Sequence, residues 1–196
     1  MPWVNENAYD TFIAGAIKAS GDVVSLPLVK AIIAVESSFN PKAYRVEAKI
    51  NDASRGLMQI LLRTAQGVGF SGAPDELFDP KTNITYGVKF LSSLVRAKGG
   101  DTLAAISAYN NGNGKRATKT TPVCLARDKT GKCIRTHIAK PGEFFNQPYV
   151  DKVLSALKYF GGSIDSTAIS PKGGLKALGA ILVMAYVYAK KAGAFG

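Results

Sequence analysis

The stretch LPLVKAIIAVESSFNP, Leu26 to Pro41, decides the fold class. Leu28, Ile32, Val35 and Phe39 recur at helical spacing, with Val29 and Ile33 beside them, which predicts a helix with a broad apolar face. Ser25 reads as its N-cap, with Pro27 in the first turn. Asn40-Pro41 breaks it, because a proline pushes the preceding residue out of the α region. Glu36 closes the apolar face. A carboxylate placed there is partly desolvated, and desolvation disfavours the charged form, as a general acid near neutral pH requires. A carboxylate making a structural hydrogen bond at a helix end is the alternative.

Working outward, helical patterns dominate. One precedes, from about Asn7 to Ala19, and stops at Gly21. Residues 42–55 read as polar and irregular. A short helix runs through Thr64 and Ala65 to Gly67. Asp79-Pro80 is an N-cap and first-turn pair, opening a helix through Ile84, Val88, Leu91 and Leu94 that ends at Gly99-Gly100. Another helix spans about Thr102 to Tyr109 and runs into the turn-forming YNNGNG. TPVCLARDKTGKCIRTHI reads as two β-rich runs around the turn DKTG. A helix follows from about Pro148 to Phe160.

This organisation predicts a mainly α, α+β domain over 1–162: a helical bundle around a groove, with a β-hairpin insert at 118–140. Residues 163–174 read as a linker, and 175–192 as an apolar helix. The uncharged run Ala177–Ala189 is 13 residues, short of the roughly 20 a spanning helix needs. A short or interfacial membrane segment and a core helix are both open readings.

The 196 residues carry a net charge of +11. Residues 1–110 hold 11 Lys/Arg against 10 Asp/Glu, a net of +1, and residues 111–196 hold 14 against 4, a net of +10. The basic half should face an anionic wall polymer, membrane surface or nucleic acid, with solubility as the plainer reading. No aromatic stripe lies among the C-terminal lysines, so specific nucleic-acid binding is not expected. The opening MPWVNENAYDTF lacks a basic segment followed by an apolar one, so no secretory signal is expected there. His137 is the single histidine, which leaves little support for metal chemistry or a Ser-His-Asp arrangement, and no cofactor is expected.

Four segments fall in order: Glu36-Ser37 in ESSFNP, then Ser54-Arg55-Gly56-Leu57-Met58-Gln59-Ile60, then Ala108-Tyr109-Asn110-Asn111-Gly112, then Tyr149-Val150. Together, over roughly residues 20–158, they resemble the lysozyme-like lytic transglycosylase family, the type with the soluble lytic transglycosylase catalytic domain. The resemblance implies that Glu36 is a single acid and base cleaving peptidoglycan between N-acetylmuramic acid and N-acetylglucosamine, with 1,6-anhydro ends as product. It implies a groove wall from Gly56, Leu57, Met58 and Gln59, with Met58 against sugar rings and Gln59 on polar groups. Ser37 would contact substrate, Tyr109 and Asn110 the sugar and its N-acetyl group, and Tyr149 would orient Glu36. Two departures stand out: FFNQPYV lacks the family's acidic and basic residues before Tyr-Val, and LLRTA replaces its usual Met-Pro.

A hydrolase of lysozyme type would need a second placed carboxylate. Asp52, in a polar loop, and Asp79, a helix cap, are nearest in sequence. A hydrolytic muramidase and an inactive wall-binding virion protein are the competing expectations. The long loop YRVEAKINDAS looks similar to phage-encoded and virion-associated members, so local wall opening by a phage, with other virion proteins as partners, is expected. Cys124 and Cys133 are the only cysteines; a disulfide across the hairpin and two free thiols both remain open. The hairpin's Arg127, Lys129, Lys132 and Arg135, with Lys115, Arg116 and Lys119 before it, are expected to grip anionic envelope polymers.

Overall fold

A computed structural model of the protein describes residues 3–164. The linker and the apolar 175–192 segment read from the sequence lie outside the described residues. The order is α1 (Asp10–Ala19), α2 (Leu26–Ser37), β1 (Tyr44–Glu47), β2 (Asp52–Arg55), β3 (Ile60–Leu61), α3 (Leu62–Gly67), α4 (Pro80–Ala97), α5 (Thr102–Asn111), β4 (Thr121–Arg127), β5 (Cys133–Ala139) and α6 (Gln147–Tyr159). The architecture is mainly α, as the sequence pattern predicts, with two small antiparallel sheets where one hairpin was expected.

α2 is the centre. Leu28 through Ala34 are buried without a break, so this helix is enclosed rather than one-sided. The Ser25 hydroxyl caps it, accepting from Leu28 N at 3.4 Å. α6 packs along α2, α1 packs on α4, and α4 and α5 lie together. Lys30 is buried within α2. Its ammonium donates to Asn7 Oδ1 at 2.6 Å, pairs with Asp10 at 3.0 Å and lies 5.2 Å from the Phe160 ring. Those contacts satisfy a charge that would be costly if buried alone.

Residues 42–55 are not irregular. β1, a 3-10 turn at Ala48–Ile50, and β2 occupy them, and β3 completes a sheet of order β1-β2-β3. Arg45 pairs with Ser54, and Ser54 with Leu61. β1 is exposed along almost its whole length, so it carries no apolar alternation to read. Asp52 does not lie in a loop either: it begins β2.

The second sheet is the hairpin β4-β5, with Thr121 opposite Ala139 and the turn at Asp128–Gly131. Its base is closed by Ala117 N donating to Glu143 O at 2.7 Å and Gly142 N to Ala117 O at 2.9 Å. Cys124 and Cys133 form a disulfide across it, with their Cα atoms 5.8 Å apart. Arg116 is not a free surface cation: its guanidinium stacks 3.9 Å from the Phe144 ring centroid and donates to Gly142 O at 3.0 Å.

Candidate active site

The C-terminal end of α2, the β1-β2-β3 sheet, α4 and the end of α5 meet around a partly open pocket. Glu36, Arg45, Ser54, Gln59, Phe90, Tyr109 and Asn110 line it. Glu36 sits where α2 stops, and its neighbours Ser38 and Phe39 turn the chain at positive φ, 52° and 63°. Half-buried Glu36 accepts a hydrogen bond from Tyr149 Oη, on the first turn of α6, at 2.7 Å. A phenol donating at that distance holds the carboxyl in place.

The turn from Arg55 to Gln59 forms the adjoining wall, and the fully buried side chain of Asn83 from α4 ties it down. Asn83 accepts from Met58 N at 2.8 Å and donates to Arg55 O at 2.8 Å and Leu77 O at 2.7 Å. Gly56 has a φ of +69°, and a Cβ there would collide with the Asn83 amide and the Leu77 carbonyl. Its missing side chain therefore admits Asn83.

Leu57 and Met58 lie beneath this turn. Both are 0% exposed, and Met58 packs against Gly87 beneath the turn. Their side chains form the floor that supports the groove. Gln59 does reach the pocket, at a positive φ of 45°. Its Nε2 donates to Ala43 O and Gly56 O, both at 3.0 Å.

Tyr109 lines the pocket and is 6% exposed. Its hydroxyl donates to Met58 O at 2.8 Å, joining α5 to the Arg55–Gln59 turn. Asn110 is more open, and its Oδ1 accepts from Asn146 Nδ2 at 3.1 Å. The Ser37 hydroxyl donates back to Ile33 O at 3.2 Å within its own helix.

The two other candidate carboxylates are engaged elsewhere. Asp52 is nearly enclosed, with its side chain 4% exposed. It accepts from Ala53 N at 2.7 Å, Arg63 N at 3.2 Å and Leu62 N at 3.4 Å, and pairs with Arg55 at 3.3 Å. It thus caps α3 from a distance. Asp79 caps α4 through Thr82 N at 2.8 Å, and its carboxyl is held below the ordinary 3.8, first by that backbone hydrogen bond. Sequence reasoning missed Asn83, Asn146 and Arg45; only Arg45 carried a visible signal, as a charge in the long loop before Gly56.

A mainly helical domain with a half-buried glutamate at the end of its central helix, facing a small sheet, is the arrangement in hand. The Transglycosylase SLT domain family matches residues 16–123, just over half of the chain, and the protein belongs to that family. α6 with Tyr149, and Asn146 just before it, lie beyond the matched range. The chain is 36% identical over 105 residues to the membrane-bound lytic murein transglycosylase C of Glaesserella parasuis, covering 46% of this chain and 28% of that protein. It is 34% identical over 110 residues to the peptidoglycan transglycosylase gp16 of Escherichia phage T7, covering 55% of this chain and 8% of that one. The chain therefore spans under a third of either relative's length. Among solved structures, an inactive mutant of the lytic transglycosylase Slt from Pseudomonas aeruginosa shares the fold, with a TM-score of 0.57 at 20% identity, over 81% of this chain and 24% of that one.

Proposed function

We propose that this protein is a peptidoglycan lytic transglycosylase in which Glu36 is both general acid and general base. The observation that carries the reading is the Tyr149–Glu36 hydrogen bond at 2.7 Å, in a pocket whose described lining contains no other carboxylate. Protonated Glu36 gives its proton to the oxygen leaving C1 of the muramyl unit, and the glycosidic bond breaks. The carboxylate then takes the proton of that sugar's C6 hydroxyl, whose oxygen bonds to C1 and closes a 1,6-anhydro ring. The nucleophile is part of the substrate, so its effective concentration is high and no water is consumed. Hydrolysis would need a second carboxylate to act as nucleophile or to activate water, and Asp52 is already committed to four partners.

The substrate is then the glycan strand of the bacterial wall, and the site of action is outside the cytoplasm. The T7 relative supports local wall opening by a phage as the setting. Association with other virion proteins, and with a membrane through residues 175–192, belongs to the same reading. Among the described residues no helix is long and apolar enough to cross a membrane.

Digesting purified peptidoglycan with the full chain and weighing the fragments tests the reaction. Anhydro ends weigh one water less than reducing ends. Reducing ends would establish a muramidase, and no release a binding protein. Glu36→Gln should reduce release about a thousandfold, the scale of a lost general acid; full activity in that variant would reject the mechanism.

A further inference from the structure

We infer that Asn146 is a positioning residue: it fixes which end of the Asn110 amide faces the groove, and so sets that position to receive a hydrogen-bond acceptor such as an acetamido carbonyl. The inference rests on the proposed reading that a sugar occupies the groove.

Asn146 precedes α6 and is 7% exposed. As the residue before a helix that carries proline in its first turn, it reads as an N-cap, yet its side chain makes no capping bond. It turns instead toward α5. Its Nδ2 donates to the backbone oxygen of Ser107 at 3.1 Å, and its Oδ1 accepts from Ser107 Oγ at 2.6 Å. A backbone carbonyl can only accept, so the nitrogen of Asn146 has to lie on that side. Asn111 Nδ2, 3.5 Å from Ser107 Oγ, supplies the donor that leaves the serine proton for Asn146.

The consequence passes to Asn110. The second N–H of Asn146 reaches Asn110 at 3.1 Å and demands an acceptor, so Asn110 turns its oxygen inward. The Asn110 NH₂ is thereby directed away from Asn146, on the residue that lines the pocket beside Glu36. One buried carbonyl, Ser107 O, thus determines through two amides that the groove presents a donor at this point.

The full chain tests this in two ways. In the free wild-type protein, side-chain amide NMR should show the Asn146 NH₂ protons protected from exchange and close to Asn110, and the Asn110 NH₂ protons exchanging freely. Asn110 NH₂ protons bonded to Asn146 would overturn the inference whatever the activity. Second, Asn110→Asp keeps an acceptor for Asn146 and leaves the core untouched, but turns an oxygen to the groove. Its affinity for the N-acetylglucosamine trisaccharide should fall about tenfold, the scale of one hydrogen bond lost at a site that desolvates it. Asn146→Ala removes the donor that holds the Asn110 oxygen inward, and should raise KM on peptidoglycan more than it lowers kcat. Wild-type trisaccharide affinity in Asn110→Asp, or a kcat loss with unchanged KM in Asn146→Ala, would sink the idea. A wild-type protein that binds the trisaccharide yet releases no anhydro ends would end the functional reading and leave this one standing.

Discussion

Tyr149 and Glu36 are 113 positions apart in the chain, and one hydrogen bond of 2.7 Å makes them a unit. The tyrosine ring packs against the core while its hydroxyl reaches the carboxyl. Tyr149→Phe keeps the ring and removes only the donor. We expect the thermal midpoint to hold and kcat to fall at least about tenfold, as a hydrogen bond to a charged group is lost. Steady-state kinetics beside a thermal melt would check both halves, and an unchanged kcat would show that the phenol does not orient the acid. At this scale much of the candidate site was legible. Glu36, Gln59 and Asn110 are where the four segments suggested, on one pocket. That Leu57 and Met58 are buried and that Gly56 backs onto Asn83 was not legible, because a turn's sequence does not say which side faces inward. Asn146 was missed because an asparagine before a helix looks like a cap.

Caps and breakers made the helices readable. Ser25 and Asp79 were identified from residue type and position, and both side chains accept from the third residue onward. Asp79→Ala should therefore cost about 1 kcal/mol at neutral pH, the usual value of an N-cap. The folded carboxyl titrates below its ordinary 3.8. A depressed folded pKa gives stability that is complete above the unfolded value and is lost as pH falls through the folded one. The gap between wild type and variant should thus be full at neutral pH and close in strong acid, as denaturant melts at several pH values would reveal. A gap that persisted in acid would exclude the carboxylate as its source. The strands resisted reading for a physical reason. β1 is a solvent-exposed edge, and its Arg45 and Glu47 pair with each other at 2.6 Å, so neither apolar alternation nor burial marks it. The β4-β5 hairpin has little core either, but its DKTG turn gave it away.

Over the whole molecule, charge and chemistry are kept apart. Nearly all the excess charge falls after residue 110, in sequence that includes the hairpin, while the pocket is built mostly from the near-neutral first part. Arg116 braces the hairpin base, whereas Lys129, Lys132 and Arg135 stand exposed along its outer half. Replacing those three by glutamine should weaken pelleting with isolated cell walls at low salt by several-fold and leave cleavage of small soluble muropeptides unchanged. The wild-type advantage should vanish near 1 M salt, where screening acts over about 3 Å. Equal pelleting at low salt would assign the charge to solubility alone. The bond between α6 and α2 has a further bearing on how such a chain is made. The acid is translated early and its partner more than a hundred residues later. A chain still emerging from the ribosome, or cut before α6, carries Glu36 without the phenol that steadies it. The proposed catalytic centre is in this sense completed last, when α6 closes on α2.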